Sequence, residues 1–91
     1  MTNKYRVVYS AKALRALSEQ LPPKIADAVY VFIEGPLAEN PKRVGKQLRG
    51  KLFPAYSARR GSYRIIYDVL DEEILIEVLK IDHRTDVYRP D

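Results

Sequence analysis

Apolar side chains on both faces of the segment Tyr63–Leu70 constrain the fold more than any other feature of this chain. On an extended backbone, Ile65 and Tyr67 would point to one side and Ile66 and Leu70 to the other. A strand with two apolar faces needs cover on both of them, which is typical of a strand in the interior of a sheet. We therefore predict that this segment is a central strand.

The residues around this strand predict a β-rich second half. Gly61 and Ser62 are typical of a tight hairpin turn, so residues 52–60 are predicted to form the preceding strand. Pro54 places the start of that strand at an edge or a bulge, because proline has no N–H for a sheet ladder. Further along, the pattern predicts a turn at 71–73, a long apolar strand at 74–81 and a polar tail at 82–91.

The first half of the chain predicts one strand and two helices. Tyr5, Val7 and Tyr9 recur at every second position, which predicts a strand, and Ser10 is a favourable N-cap for the helix that follows. A pair of prolines at 22–23 separates this helix from the second one. The apolar residues expected to share a face are Leu14, Leu17 and Leu21 in the first helix, and Ile25, Ala28, Val29, Phe32 and Ile33 in the second.

The order of these elements predicts the fold class. Pro36 is expected to interrupt the second helix, because it has no N–H for the Phe32 carbonyl. A basic connector at residues 42–50 then leads into the strands, so the order is β-α-α-β-β-β. Two consecutive helices can bury their apolar stripes only against one face of the sheet. We predict an α+β fold with two helices on one face and the other face open.

The distribution of charge says more than the net charge of +4. Residues 40–67 contain no Asp or Glu, whereas the rest of the chain has eight basic and twelve acidic residues and sums to −4. Such a polarised surface favours a polyanionic partner, nucleic acid first. The eight basic residues of the acid-free segment are Lys42, Arg43, Lys46, Arg49, Lys51, Arg59, Arg60 and Arg64.

The composition excludes several classes of protein. With 91 residues and 31% charged residues, the chain is expected to form a single globular domain, residues 1–91. It has no cysteine, which excludes disulfides, thiolate metal sites and cysteine nucleophiles. Residues 1–6 have no apolar signal core and no run is long enough to span a membrane, so we expect a cytoplasmic protein. The sequence has one histidine, His83, which argues against a metal centre with several histidine ligands, and it has no cofactor motif.

The candidate chemistry rests on arginines and tyrosines of the predicted strands. Arg59 and Arg64 lie on either side of the hairpin turn, where both guanidinium groups would reach one phosphate. Arg84 and Tyr88 follow the last strand. RNA can be cleaved by its own 2′-hydroxyl without metal, provided that a protein supplies a base, an acid and cations. Neighbouring cations lower the pKa of a tyrosine, so such a tyrosine could act as the base. His83 has an intrinsic pKa that suits an acid or a base.

Other residues have simpler interpretations. Tyr63 and Tyr67 share a predicted strand face with aliphatic residues, which indicates a place in the core. Arg60 points away from Arg59 and is expected to be solvated. The residues interpreted as phosphate-positioning RNA contacts are Lys42, Arg43, Lys46, Arg49 and Lys51.

Three segments in order resemble the RelE/ParE toxin superfamily. Residues 56–67 (YSARRGSYRIIY) are similar to its signature hairpin, residues 81–89 (IDHRTDVYR) to its closing motif, and residues 43–50 (RVGKQLRG) to its basic connector. The resemblance covers essentially the whole chain. It implies a mostly antiparallel sheet with two helices on one face, and a cognate antitoxin that binds the toxin.

The resemblance also implies roles for individual residues. Arg64 matches the hairpin arginine that RelE enzymes use on the scissile phosphate, Arg84 matches a catalytic arginine and Tyr88 the C-terminal tyrosine. RelE enzymes carry two lysines on the strand before the hairpin, one of them a base. Here those positions fall near Ala55 and Ser57. Three explanations of this departure stay open: Arg59, Lys46 or Arg49 substitutes electrostatically, His83 takes over proton transfer, or the rate is low.

Three functions follow as hypotheses. The first is a ribosome-dependent mRNA endonuclease of a type II toxin–antitoxin pair, with ribosome, mRNA and antitoxin as partners, which is what the RelE branch implies. The second is a toxin of the ParE branch, which inhibits DNA gyrase without nuclease activity. The third is a basic nucleic-acid-binding module without catalysis, which would bind with a strong salt dependence.

Overall fold

A computed structural model describes residues 4–83. Its centre is a five-stranded sheet in the order β1-β5-β4-β3-β2. β1 and β5 are parallel, and the other neighbouring pairs are antiparallel. The strands are β1 (Arg6–Tyr9), β2 (Lys46–Gln47), β3 (Tyr56–Arg60), β4 (Tyr63–Leu70) and β5 (Leu75–His83). The prediction of a central strand is confirmed, because β4 lies between β3 and β5.

Two main helical segments cover one face of the sheet, as predicted. Helix α1 (Ala11–Arg15) begins at Ser10, whose hydroxyl accepts a hydrogen bond from the Ala13 N–H at 3.0 Å. This confirms the predicted N-cap. A wide π-helical turn, Ala16–Gln20, extends the helix. After Pro22, helix α2 (Pro23–Phe32) ends in a second π-helical turn, Ile33–Leu37, and a short helix α3 (Pro41–Val44) follows.

The predicted apolar faces of both helices are confirmed in part. Leu21 is buried and Leu17 packs against the core, as predicted. Leu14 is instead 52% exposed, and Ala13 and Ala16 are buried. In α2, Ala26 is buried in place of Ile25, together with the predicted Val29 and Ile33. Alanine at these points lets the helix backbone approach the sheet closely. The prediction was wrong at these positions because it assigned the larger apolar residues, Leu14 and Ile25, to the buried face.

The α-helical hydrogen-bond pattern of the second helix is interrupted around Pro36, as predicted, although the chain stays helical there. Pro36 lies inside the π-helical turn Ile33–Leu37, and the chain continues to Ala38. A π-helical turn bonds each N–H one residue further back than an α-helix does, so the local hydrogen-bond pattern is already altered where the proline lacks its donor. Leu37 is thereby brought into the core with no exposed surface.

The second half departs from the prediction at its ends. The predicted strand at 52–60 begins only at Tyr56, because a 3₁₀ turn, Gly50–Leu52, and a cis Phe53–Pro54 peptide precede it. Strand β5 extends to His83, two residues beyond its predicted end. Helix α3 and β2 were not predicted, since four and two residues are too short to show periodicity. The predicted turn at 71–73 is confirmed as a 3₁₀ turn, Asp71–Glu73.

The core lies between the helices and the sheet face that carries Ile65, Tyr67 and Val78. Residues directly opposite each other on neighbouring strands share a face of the sheet. The register therefore places Arg60 and Tyr63 on the helix-covered face, and Arg59 and Arg64 on the other face. No helix among residues 4–83 has the length and apolar character needed to span a membrane.

Candidate functional site

An open groove of about 600 Å³ runs between the connector strand β2 and the outer face of the β3–β4 hairpin. Four of the basic residues singled out in the sequence line it, namely Lys46, Arg49, Arg59 and Arg64. The residues between them are small, apolar or neutral, which leaves the groove positively charged. We call this feature the basic groove.

The hairpin turn explains how two of these arginines meet. Gly61 adopts a φ of +61°, which favours glycine, and the two-residue turn sets Arg60 opposite Tyr63 and Arg59 opposite Arg64. Like charges directly opposite in a sheet destabilise it by roughly 0.2–1 kcal/mol. A pair of arginines kept in this arrangement suits an anion, because each guanidinium can donate two hydrogen bonds to phosphate oxygens.

The far wall of the basic groove is the connector. Lys46 lies opposite Ser57 in the β2–β3 ladder, and the Leu48 N–H donates to the Ala55 carbonyl at 2.8 Å. These contacts hold Lys46 and the following Arg49 beside β3. Ser57 lies in the same groove as Arg59 because alternate residues of β3 share a face.

Two groove residues, Gln47 and Ser57, were not among the predicted RNA contacts. The period of two along β3 was the signal that placed Ser57 beside Arg59. Nothing in the sequence placed Gln47, because its position depends on the two-residue strand β2. Ser57 stands near one of the two lysine positions of the RelE pattern.

Lys42 does not join the basic groove. Its ammonium group forms an ion pair with Asp71 in the turn between β4 and β5, and the Tyr5 hydroxyl donates to the same carboxylate at 2.9 Å. The hydrogen bond from Lys42 lowers the pKa of Asp71, and the same bond raises the pKa of Lys42. Arg43 and Lys51 are exposed, and neither lines the groove. Of the predicted RNA contacts, only Lys46 and Arg49 therefore lie in the basic groove.

His83 lies on the opposite side of the sheet from the two groove arginines. It is paired with Tyr63 in the β4–β5 ladder, and the two rings meet edge to face with centroids 5.2 Å apart. Tyr63 packs against the core, as predicted. Arg64 is instead opposite Asp82, one residue along and on the other face. The structure therefore does not bring His83 together with Arg64.

Two of the predicted site residues, Arg84 and Tyr88, lie outside residues 4–83. Burial raises the pKa of Tyr67, and burial and a hydrogen bond to Glu34 raise that of Tyr9, so neither hydroxyl has the depressed pKa of a base. Within the described range, no three carboxylate or imidazole side chains cluster as they would around a metal ion.

Solved structures with this fold include chains of toxin–antitoxin complexes. The fold matches a chain of the RelBE2 toxin–antitoxin complex of Mycobacterium tuberculosis with a TM-score of 0.85 and 44% identity, over 90% of this chain and 100% of that one. A match to the intact RelBE complex of E. coli has a TM-score of 0.72 and 23% identity, over 87% and 95% of the two chains, and supports the fold alone.

Sequence comparison identifies the family. The profile described as "ParE toxin of type II toxin-antitoxin system, parDE" matches residues 7–88. Toxin RelG of M. tuberculosis is 46% identical over 93% of this chain and 97% of its own length, and toxin RelE of the same organism is 45% identical over 93% and 87%. The chain belongs to the ParE toxin family of type II toxin–antitoxin systems, and its named relatives are RelE and RelG toxins.

Proposed function

We propose that this toxin, acting as one domain, is an endoribonuclease that cleaves mRNA on the ribosome and thereby stops translation. The basic groove is the observation that carries the proposal, since it gathers four cations on a face left open by the helices. Its relatives at about 45% identity bear the names RelG and RelE. The basic groove and the names of these relatives together favour RNA cleavage over inhibition of DNA gyrase.

In this proposal, the wall and floor of the basic groove hold the RNA backbone. Lys46, Arg49 and Arg59 neutralise successive phosphates, which fixes the register of the strand without reading its bases. Arg43 and Lys51, exposed beyond the groove, extend the positive surface. Lys42 is not assigned an RNA contact, because Asp71 already binds it.

The proposed cleavage step needs no metal. The 2′-oxygen attacks the adjacent phosphorus, the bond to the 5′-oxygen breaks, and the products are a 2′,3′-cyclic phosphate and a 5′-hydroxyl. Arg64, with Arg59 beside it and Arg84 from the tail, stabilises the charge that develops on the phosphoryl oxygens.

One group must take the proton of the 2′-hydroxyl and another must protonate the leaving oxygen. We assign one of these transfers to Tyr88. His83 is the alternative, although its position against Tyr63 would require it to act from the far side of the sheet. Ser57 contributes a neutral hydroxyl near one of the positions where the RelE pattern has a lysine, so we expect slower proton transfer than in those enzymes.

A cognate antitoxin is the expected regulatory partner. Several solved relatives with this fold are toxin–antitoxin complexes, including those of M. tuberculosis and of Pyrococcus horikoshii. Because the family belongs to type II systems, in which the antitoxin is a protein, we propose that this toxin is likewise inhibited by direct binding.

The test is primer extension on a reporter mRNA after brief induction of the toxin in bacteria. Discrete new 5′ ends within translated codons are expected for the wild type and for Arg60→Ala, and none for Arg64→Ala. Arg60 is a matched control because it is an arginine of the same hairpin on the other sheet face. Growth arrest accompanied by DNA breaks, with the mRNA intact, would instead support gyrase inhibition. Absence of growth arrest would support a binding module without catalysis.

A further inference from the structure

Tyr67 connects the core to the wall of the basic groove. It has no exposed surface, although it carries a polar hydroxyl. That hydroxyl donates a hydrogen bond to the Pro41 carbonyl at 2.5 Å, across 26 positions of sequence. Pro41 begins α3, so the bond ties the central strand β4 to the start of the connector that leads to β2.

The fit at Gly45 shows how closely the connector approaches this hydroxyl. A Cβ at Gly45 would overlap the Tyr67 hydroxyl, and would lie 2.9 Å from the Ser57 carbonyl oxygen and 3.0 Å from the Tyr67 Cζ. Gly45 has a φ of −106°, which any residue can adopt. Glycine is therefore required here for space, because the connector backbone passes directly over the tyrosine.

The residue that follows Gly45 is the first basic residue of the groove wall. Lys46 begins β2, and Arg49 lies three residues further on. The opposite wall includes Arg64, which lies on the same strand as Tyr67. Strand β4 thus presents Arg64 to the groove on its open face. Three residues along, it presents Tyr67 on its helix-facing side, where the hydroxyl holds the connector.

We propose that Tyr67 is a positioning residue for the basic groove. Its hydroxyl holds the Pro41–Gly45 segment so that Lys46 and Arg49 stand at a fixed distance from Arg59 and Arg64. Tyr67 does not contact RNA and acts through the two basic residues of the connector. The RNA-binding consequence rests on the proposed nuclease function, whereas the effect on the connector does not.

Tyr9 provides a control, because it is a half-buried tyrosine whose hydroxyl is also hydrogen-bonded. Its hydroxyl donates to a Glu34 carboxylate oxygen at 2.6 Å, and its ring packs against the same core as that of Tyr67. It lies on β1, at the other edge of the sheet from the connector. Tyr67→Phe and Tyr9→Phe each remove one hydroxyl and one hydrogen bond, but only the first releases the groove wall.

The experiment measures affinity for a single-stranded oligoribonucleotide by fluorescence anisotropy with the full chain. Tyr67→Phe is expected to weaken binding about fivefold, which is the effect of losing one net hydrogen bond that supports the bound state. Tyr9→Phe is expected to weaken binding less than about twofold, because its hydrogen bond supports folding alone. In a Lys46→Ala/Arg49→Ala background, Tyr67→Phe should have no further effect, because the residues through which it acts are gone. Equal effects of the two tyrosine variants, or an undiminished effect in that background, would overturn the proposal.

Amide hydrogen exchange separates this proposal from the proposed function. The Leu48 N–H, bonded to the Ala55 carbonyl, should exchange about tenfold faster in Tyr67→Phe than in Tyr9→Phe if the connector is released. This holds whether or not the protein binds RNA, and unchanged exchange would refute the positioning role. Gly45→Ala should also release the connector, and adding Tyr67→Phe should partly restore Leu48 protection by removing the overlapping hydroxyl.

Discussion

The two ends of strand β4 use positive charge in opposite ways. At the hairpin end, Arg59 and Arg64 are placed directly opposite each other and face an open groove. At the other end, the ammonium group of Lys42 is bound by Asp71, which also accepts a hydrogen bond from Tyr5. In the sequence, Lys42 and the arginines belong to one acid-free segment. A continuous basic run therefore does not identify a continuous binding surface, because the fold binds Lys42 to Asp71 but places Arg59 and Arg64 on the wall of the basic groove.

The largest expected difference between the two ends is in catalysis. Arg64→Ala should lower the rate of mRNA cleavage on programmed ribosomes by about 10²- to 10³-fold, the usual loss for a group that stabilises charge in a transition state. Lys42→Ala should change the rate less than twofold, because its charge is committed to Asp71. Comparable losses in the two variants would mean that both ends of the strand contact the substrate.

The salt dependence of RNA binding should divide the basic residues in the same way. Each phosphate contact to single-stranded RNA contributes about 0.7 to the slope of log affinity against log salt concentration. Replacing Arg59 and Arg64 together should therefore reduce the slope by about 1.4, whereas Lys42→Ala should leave it unchanged. Titrations of one oligoribonucleotide at several salt concentrations measure both slopes, and a reduced slope for Lys42→Ala would contradict the division.

A smaller effect of opposite sign is expected for stability at the hairpin end. Arg59→Gln removes a like-charge pair and should raise the free energy of unfolding by roughly 0.2–1 kcal/mol while weakening RNA binding. Urea denaturation of the variant, with Arg60→Gln on the opposite face as control, tests this expectation. A destabilised Arg59→Gln variant would show that the arginine supports the fold as well as the site.

The smallest expected effect is at the paired end, where both partners of the ion pair are exposed. The pKa of Asp71 is lowered in the folded protein by the hydrogen bond from Lys42, so its contribution to stability is present above its ordinary pKa of 3.8 and is lost as the pH falls through the folded value. Asp71→Asn should therefore be slightly less stable than the wild type at pH 7, with a difference that shrinks below pH 3.8. Denaturation curves across that range measure the difference, which 1 M salt should also reduce.

The sequence predicted the parts of the fold that depend on local pattern. The apolar faces around Ile65 and Ile66 identified the central strand, and the Gly61–Ser62 pair identified the turn that brings Arg59 opposite Arg64. Ser10 as an N-cap is equally local, since the hydroxyl binds an amide three residues away. In each case, the residues that determine the structure are neighbours along the chain.

The features that the sequence did not predict depend on distant partners. The ion pair of Lys42 with Asp71 spans 29 positions and forms only when the connector crosses the turn after β4. His83 was interpreted as a possible catalyst, and its place beside Tyr63 follows from the register of β5, which a bulge near Ile66 alters. Burial of Ala13 in place of Leu14 reflects the distance between helix and sheet. None of these contacts and positions can be predicted from neighbouring residues in the sequence.

The position of β5 governs when this toxin can become active during its own synthesis. Residues 75–83 form the strand that joins β1 to β4, although they are made after every other strand. A nascent chain that ends before Leu75 has its first strand and its hairpin with nothing between them, so the helices have no continuous sheet on which to pack. The sheet can therefore be completed only after the ribosome has added residues 75–83, which delays the appearance of the basic groove beyond the synthesis of the residues that line it.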